Sequence, residues 1–270
     1  MGRAAPTLLP VSTRLDAASL RERLAGRYTA LDVVASTGST NADLRERPGD
    51  RVVLVAEEQT AGRGRRGRGW ASPGGGLYFS ALFRPPGVPA ARLPWLTLLA
   101  GLALVRAAAG VGVRAELKWP NDLLVDDRKA AGVLAEIGPD HAVVVGVGLN
   151  VAALPPDVEP GAGGLPPTSL EEHAGGPVDR AEVAVAVLAE LAELERTWRE
   201  AGGDPEGSGL LDEYRRHCGT LGRRVRVELP GAVLSGVARS VGPDGTLVVR
   251  DDAGADHTLS AGDVVHLRVR

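Results

Sequence analysis

Cysteine is almost absent from this 270-residue chain, and lysine, asparagine and glutamine are scarce. The single Cys218 excludes an intramolecular disulfide and any metal cluster built on several cysteines. No uninterrupted apolar run approaches the roughly 20 residues of a membrane span, and no signal peptide is recognisable. These absences predict a cytoplasmic protein. The net charge of −3 and the pI near 6.0 argue against a surface that binds nucleic acid throughout.

The rare polar residues are concentrated in one part of the chain. Only two of the 31 basic residues are lysines, and there are three asparagines and one glutamine. The six are Asn41, Gln59, Lys118, Asn121, Lys129 and Asn150. In a chain that otherwise uses arginine, alanine and glycine, they mark positions where Arg, Asp, Glu or Ser could not substitute. This indicates a functional site between 41 and 150; the alternatives are chance clustering or use as turns and helix caps.

The hydrophobic pattern predicts an α+β domain followed by a small all-β domain. Strands are expected at residues 31–34, 52–57, 76–84, 116–119, 123–126, 133–137 and 142–150. Helices are expected at residues 17–24, 94–109 and 180–200, with a short one ending at residue 217. Residues 60–76 and 153–178 are rich in Gly, Arg or Pro and are expected to lack regular structure. After residue 219, five short strands separated by turn signals predict a small β-barrel.

The clearest motif is the Gly- and Arg-rich run at residues 62–70, which ends in Trp70. Glycine lets the backbone approach a ligand closely, and arginine supplies fixed charge and forked donors for anionic oxygens. Trp70 offers an aromatic face for a base. The run predicts a loop that wraps a phosphorylated, adenine-like ligand and is mobile without it. Alternatives are a solvated basic loop or an Arg-Gly segment that binds nucleic acid.

Lys118, Trp119, Pro120, Asn121 and Asp122 form the second motif. A strand delivers Lys118, whose compact charge suits a place between a carboxylate and a phosphate. Pro120 ends the strand ladder. Trp119 alternates away from Lys118 and is expected in the core, while the two residues after the proline could serve only to form the turn.

The third motif is an alternation of glycines, Gly146 and Gly148, that ends in Asn150. Such a strand leaves one face bare, so that a flat ligand could lie on it. The amide of Asn150 carries a donor and an acceptor, as needed to read an adenine edge. The alternative is a bulged strand that ends in a turn.

Ser39, Thr40 and Gln59 supply small neutral groups suited to a polar, uncharged ligand head. Ser39 could equally cap a helix that begins there. The five histidines show neither metal-ligand spacing nor a nucleophile–base pairing, so the sequence predicts no metal site in the protein.

Taken together, the motifs resemble those of the bacterial biotin protein ligases, in the same order and spacing. The motifs that carry the resemblance lie at residues 39–41, 59–62, 62–70, 72–73, 118–122, 129–134 and 146–150. The resemblance extends from about residue 31 to 270. It implies a mixed-sheet catalytic domain of the biotin/lipoate ligase type at 31–218 and an SH3-like barrel at 219–270. Residues 1–30 would be an N-terminal extension.

The resemblance implies a two-step reaction. The biotin carboxylate attacks the α-phosphate of MgATP, which gives biotinyl-5′-AMP and pyrophosphate. A lysine of a biotin carboxyl carrier protein, as in acetyl-CoA carboxylase, then attacks the acyl carbon. The implied cofactors are ATP with Mg²⁺, and biotin is the substrate. No side chain has to act as a covalent nucleophile.

The family's site residues carry over position by position. Those implied to bind biotin are Ser39, Thr40, Asn41, Gln59, Gly62, Arg63, Gly64, Arg65 and Lys118. Those implied to bind ATP are Arg65, Arg68, Trp70, Lys118, Asn121 and Asn150. Lys118 and Arg65 are the implied catalytic pair, with Lys118 offsetting charge between carboxylate and α-phosphate. The roles of Asn41, Asn121 and Lys129 stay open.

Two other functions fit part of the pattern. A lipoate or octanoate ligase shares the broad fold, although the 62–69 run favours biotin. A nucleic-acid-binding module would use the Arg-Gly loop but leaves Lys118 and Gln59 unexplained. Since only about 30 residues precede the first catalytic strand, no winged helix is expected and neither DNA nor a membrane is an expected partner. The sequence leaves open whether the protein is a monomer or a homodimer.

The Arg-Gly loop gives a testable prediction. Its four arginines at 63–68 are trypsin sites, and ordering a glycine-rich loop costs conformational entropy that only a ligand offsets. We expect biotin with MgATP to slow tryptic cleavage there, while sites elsewhere in the chain are cut at unchanged rates. Equal cleavage of the loop with and without ligands would contradict the prediction.

Overall fold

The computed structural model describes residues 14–160, 164–229, 232–260 and 262–267. Its larger sheet has seven strands: β1 (Ala30–Thr37), β2 (Val52–Gln59), β3 (Leu77–Phe83), β4 (Glu116–Lys118), β5 (Asp122–Val125), β6 (Arg128–Ile137) and β7 (Val143–Leu149). The spatial order is β1-β2-β3-β7-β6-β5-β4. Only β1 and β2 run parallel, and the other neighbours are antiparallel. The sheet is therefore mixed.

Helices cover both faces of this sheet. They are α1 (Ala17–Arg23), α2 (Thr40–Leu44), α3 (Trp95–Gly110), α4 (Arg180–Glu200) and α5 (Leu210–His217). Helix α3 packs between the sheet and α4 and forms the centre of the main core. Leu44 of the short α2 belongs to a second, smaller core on the opposite face, with alternate residues of β2, β3 and β7. Because α2 is short, it leaves much of this face of the sheet uncovered, and the cleft described below lies there.

Two of the predicted helices begin directly after a capping aspartate. The Asp16 side chain accepts hydrogen bonds from the first backbone N–H groups of α1, and Asp179 does the same for α4. Each cap satisfies donors that have no partner within the helix. The predicted limits of α4, residues 180–200, coincide with the observed ones.

One helical segment of the described residues has membrane-spanning length, although Arg92 and Arg106 interrupt its apolar residues. The segment Ala90–Gly110, 21 residues long, is apolar enough by composition to cross a membrane. Most of it is buried among the sheet and α4. A core helix covered on all sides is apolar all round for the same reason as a membrane helix, so its composition is explained by the fold.

Two expectations about secondary structure need correction. Residues 60–76 are not wholly irregular: they hold a 3₁₀ turn, Arg65–Gly67, and an antiparallel bridge between Arg63 and Gly69. Strand β6 begins at residue 128 rather than 133. A bulge interrupts its first part, and this hides the alternating pattern.

The C-terminal region forms a separate antiparallel sheet of five strands. They are β8 (Arg224–Leu229), β9 (Ala232–Val241), β10 (Leu247–Arg250), β11 (Asp256–Leu259) and β12 (Asp263–His266), in the order β11-β10-β9-β8-β12. The sequence predicts the last of the five strands at residues 264–269, and residues 268–270 lie outside those described. Together with the mixed sheet, this domain confirms the expected α+β class.

The two domains meet at the turn after β4. Trp119, expected in the core, is buried, and its indole N–H donates to the Gly245 carbonyl at 2.9 Å. Its backbone N–H donates to the buried Thr220 hydroxyl at 3.0 Å, and that hydroxyl lies 2.9 Å from His266 Nε2. The C-terminal domain therefore holds the residue that directly follows Lys118.

His266 makes this contact sensitive to pH. Burial, with the charges of Lys118 and Arg223, lowers the pKa of His266 from 6.5 to about 4. Between these values the unfolded chain binds a proton that the folded chain does not, so stability falls as pH drops from 6.5 towards 4. We expect His266→Gln to flatten the fall of the melting temperature in this range. The exposed His141→Gln is the control and should keep the wild-type profile.

Candidate active site

A cleft of about 1010 Å³ lies between the mixed sheet, the Arg-Gly loop and the C-terminal sheet. Every site residue proposed from the sequence lines it: Ser39, Thr40, Asn41, Gln59, Gly62, Arg63, Gly64, Arg65, Arg68, Trp70, Lys118, Asn121 and Asn150. The fold therefore brings together residues more than 100 positions apart. The C-terminal domain adds Glu228 and Asp263 to the lining.

One end of the cleft is neutral and polar. Gln59 ends β2, and its Oε1 accepts from the backbone N–H and the hydroxyl of Thr40, at 3.0 and 3.1 Å. Its Nε2 donates to the Ser72 hydroxyl at 3.1 Å. Ser39 occupies the N-cap position of α2, as the sequence allowed, but its side chain makes no capping hydrogen bond. The Ser39 hydroxyl is thus not committed to the helix.

Asn41 is held on every side by protein groups. Its Nδ2 donates to the Leu134 carbonyl at 3.1 Å and to Glu136 at 2.7 Å, and its Oδ1 lies 2.6 Å from the Ser80 hydroxyl. That hydroxyl also lies 2.7 Å from Thr40 Oγ1. The geometry indicates that Asn41 supports Thr40, and direct contact between Asn41 and biotin stays a prediction.

The Arg-Gly loop folds back on itself as a small hairpin. The N–H of Gly64 donates to the Arg68 carbonyl at 2.7 Å, and the N–H of Trp70 donates to the Gly62 carbonyl at 2.9 Å. A Cβ at residue 62 would lie 2.5 Å from the Trp70 carbonyl oxygen. Glycine is needed there because the two strands of the hairpin approach so closely.

Arginines of the hairpin bind the C-terminal domain. Arg66 and Arg68 both pair with the Asp263 carboxylate, at 3.0 and 3.1 Å. Arg66 also donates to the Glu228 carbonyl at 3.0 Å. Arg65 turns inward, where its Nη1 donates to Asn121 Oδ1 at 3.0 Å. The hairpin is therefore closed over the cleft by contacts from both domains.

Trp70 lies flat against the glycines of β6 and β7. A Cβ on Gly148 would lie 2.4 Å from the indole, and one on Gly132 would lie 3.0 Å from it. Asn41 covers Gly146 in the same way, at 2.1 Å from a Cβ placed there. The expectation of a bare strand face is thus corrected: in the described structure two of the protein's own side chains lie on it.

A buried carboxylate between two lysines forms the centre of the cleft. Asp122 Oδ1 lies 2.6 Å from Lys129 Nζ, and Oδ2 lies 3.4 Å from Lys118 Nζ. The side chains of Lys118 and Asp122 are only 5% and 6% exposed. Burial lowers the pKa of Lys118, although the charge of Asp122 opposes the shift. For Asp122 burial acts to raise the pKa, and the two lysines outweigh it and lower it.

A β-bulge turns Lys129 towards this cleft. Leu123 pairs with Ala131, but Leu124 pairs with Lys129, so Ala130 is an extra residue in β6. Without it, Lys129 would share a face with Ala131 and the other core residues. With it, the Lys129 ammonium lies 3.4 Å from a Cβ built on Gly132 and 5.3 Å from the centre of the Trp70 ring.

The two remaining asparagines bind backbone as well as facing the cleft. Asn121 Nδ2 donates to the Val133 carbonyl at 3.0 Å. Asn150, just after β7, donates from Nδ2 to the Thr168 carbonyl at 2.9 Å. Its amide is thereby oriented before any ligand is present.

Comparisons with known proteins agree with this geometry. The model of the biotin/lipoate A/B protein ligase family matches residues 31–150, and that of the biotin protein ligase C terminal domain matches residues 220–267. The biotin–[acetyl-CoA-carboxylase] ligase of Mycobacterium tuberculosis is 44% identical over 268 residues, 94% of this chain and 96% of that protein. The enzyme of the same name from Paracoccus denitrificans is 35% identical and covers 82% of this chain and 95% of its own.

A solved structure gives the same result. The biotin protein ligase of Aquifex aeolicus, in complex with biotin and ATP, has a TM-score of 0.75 and 29% identity, and covers 90% of this chain and 100% of that one. The chain belongs to the biotin protein ligases. The resemblance read from the sequence motifs is confirmed.

Three residues in or beside the cleft were missed as site residues in the sequence. Ser80 is an ordinary strand residue, and only its register opposite Gly146 places it against Asn41. Asp122 was equally readable as a turn former, and its burial between two lysines is a tertiary effect. Asp263 follows a glycine near the C-terminus, where its sequence neighbours carry no sign of the Arg-Gly loop. A spacing argument cannot reveal any of these contacts.

Two carboxylates of the cleft are already engaged by cations. Asp122 is paired with lysines and Asp263 with arginines. Among the described residues, no group of three or more His, Cys, Asp or Glu side chains could hold a metal ion.

The contact between Trp70 and Gly148 predicts a non-additive pair of substitutions. We expect Gly148→Ala to cost about 1–3 kcal/mol of unfolding free energy, because the indole must move away from the new methyl group. In the Trp70→Ala background the same change should cost much less. Gly176→Ala, with open space around its Cβ, is the control. Equal costs for Gly148→Ala in both backgrounds, measured by chemical denaturation, would contradict the packing.

Proposed function

We propose that this ligase activates biotin with ATP to biotinyl-5′-AMP and transfers biotin to a lysine of a biotin carboxyl carrier protein. One observation carries the proposal: a single cleft combines a neutral polar end, a buried lysine–aspartate–lysine centre and a loop with four arginines. A polar uncharged head, a carboxylate and a phosphate would find their matching groups along it in that order.

The neutral end suits the ureido ring of biotin. Ser39 and Thr40 offer hydroxyls, and Gln59 holds Thr40 in place by accepting two hydrogen bonds from it. A ureido group has both donors and an acceptor, so hydroxyls, which can do either, fit it. The absence of a formal charge on these three side chains favours a neutral ligand head.

The centre suits the adenylation step, in which two anions must approach each other. Lys118, together with Arg65 of the loop, would offset charge between the biotin carboxylate and the α-phosphate. Lys129 shares Asp122 with Lys118 and adds a second cation. Because the aspartate fixes both ammonium groups beforehand, little reorganisation is needed when charge develops in the transition state.

The nucleotide would occupy the part of the cleft beyond this centre. Asn150, Asn121 and Trp70 suit an adenine ring, which offers polar edges and an aromatic face. Arg68 suits the pyrophosphate that leaves. Mg²⁺ would come as part of the MgATP substrate and would neutralise phosphate charge.

The partner we propose is the carrier domain of a biotin-dependent carboxylase in the cytoplasm. The similar proteins of Mycobacterium tuberculosis and Paracoccus denitrificans are named for ligation to acetyl-CoA carboxylase. We expect no DNA or membrane partner. A homodimer remains one of two possible states.

Mass spectrometry tests the proposal directly. The chain is incubated with biotin, MgATP and a carboxylase biotin domain, and the domain should gain the mass of one biotinyl group on one lysine. Lipoate and octanoate in place of biotin separate the ligases of the same broad fold. Transfer of lipoate but not biotin would contradict the proposal.

Lys118 should be the most sensitive single charge in the cleft. The chain uses arginine at almost every other basic position, so lysine here indicates that a guanidinium does not fit the buried space beside Asp122. We expect both Lys118→Arg and Lys118→Ala to slow adenylation by about 10²–10³-fold, by analogy with removal of an oxyanion-hole donor.

Two controls separate rate from binding. The affinity for biotin should fall much less than the rate, since the neutral end of the cleft is untouched. Transfer from pre-made biotinyl-5′-AMP should survive better than adenylation. Adenylation by Lys118→Arg at nearly the wild-type rate, measured by pyrophosphate release, would refute the role of Lys118.

A further inference from the structure

The loop between β7 and α4 contains a segment, residues 166–170, that is hydrogen-bonded to two residues of the cleft, Lys129 and Asn150. The N–H of Lys129 donates to the Pro166 carbonyl at 2.8 Å, and the N–H of Thr168 donates back to the Lys129 carbonyl at 2.9 Å. The Thr168 carbonyl then accepts from the side chain of Asn150 at 2.9 Å, and the N–H of Leu170 donates to the Asn150 carbonyl at 3.0 Å.

This segment takes the place of a missing strand. Strand β7 covers β6 only from the pair Ala131–Leu149 onwards, so the backbone of Lys129 has no strand beside it on that edge. Pro167 forms a parallel bridge with Lys129 and fills the gap. The bulge that turns Lys129 into the cleft is thus supported from outside by residues 166–168.

Glu172 holds the segment in place. Its Oε2 accepts from the Thr168 hydroxyl at 3.0 Å and from Arg128 at 2.8 Å. Its Oε1 accepts from the Ser169 hydroxyl at 3.3 Å. Arg128, which precedes Lys129, also donates to the Pro167 carbonyl at 2.7 Å. One carboxylate therefore ties the segment to the start of β6.

The Thr168 hydroxyl lies between two partners, 3.0 Å from Glu172 Oε2 and 2.8 Å from His173 Nε2. Thr168 and Ser169 are both fully buried. Buried polar groups that lose a partner are costly, so the segment has one preferred position while Glu172 is present.

We propose that Glu172 is a positioning residue that sets the affinity for ATP by holding residues 166–170 against Lys129 and Asn150. Glu172 is not among the residues that line the cleft. This inference rests on the proposed function, because the nucleotide role of Asn150 comes from there. Within the described residues, no hydrogen bond joins this segment to Thr40 or Gln59, so the biotin end of the cleft should be indifferent to it.

The test compares Glu172→Ala with Glu171→Ala in the full-length chain. Glu171 is the matched control. It lies in the same loop and also accepts hydrogen bonds, but from the backbone N–H groups of Ala153 and Val178. We expect Glu172→Ala to raise the KM for ATP about tenfold, as the loss of a charge-assisted hydrogen bond predicts. The calorimetric Kd for biotin should change less than about twofold.

Milder variants guard against a folding defect. Thr168→Ser keeps the hydroxyl and should behave like the wild type, whereas Thr168→Val should raise the KM for ATP. Combined with Glu172→Ala, Thr168→Val should add little, because both changes break the same contact. Melting temperatures of all variants are measured alongside.

The outcomes separate the two claims. The inference is overturned if Glu172→Ala leaves the KM for ATP unchanged, if it weakens biotin and ATP equally, or if Glu171→Ala has the same effect. A wild-type chain that forms no biotinyl-5′-AMP would remove the proposed function and this inference with it. An active wild type with indifferent Glu172 variants removes the inference alone.

Discussion

The ion cluster of Asp122 with Lys118 and Lys129 is the constraint on which the rest of the cleft depends. A carboxylate this deeply buried is tolerated only because two ammonium groups and its hydrogen bonds replace water. Removing one partner would leave an uncompensated charge, so all three positions are fixed together. Three strands and a bulge must therefore keep the register that brings them into contact.

Small residues determine how closely the cleft's own side chains pack. The indole of Trp70 can rest on β6 and β7 because Gly132 and Gly148 have no side chains there. Asn41 reaches Ser80 and β6 across Gly146 by the same means. The space beside these glycines is filled by protein side chains before any ligand binds, which preorganises the wall of the site.

The sequence was most informative where local chemistry decides structure. Helix and strand positions follow from the periodicity of the apolar residues, and the caps at Asp16 and Asp179 follow from the hydrogen-bond demand of helix ends. The motifs predicted which residues line the cleft. The contacts of Ser80 and Asp263 could not be predicted, since each partner comes from a distant part of the chain. Those of Asp122 depend on the pairing of β5 with β4 and on the bulge in β6. The bulge at Ala130 was missed because one extra residue reverses the alternation that a strand prediction uses.

Electrostatics explains why a loop with four arginines can close at all. Like charges within six residues repel one another, and a closed hairpin brings them together over two buried lysines. Asp263 offsets this by pairing with Arg66 and Arg68, and Asn121 accepts from Arg65. The small C-terminal domain thus supplies the anion that the catalytic sheet lacks on that side. A cleft selective for anionic groups is stable between reactions because its second domain balances the charge of the loop.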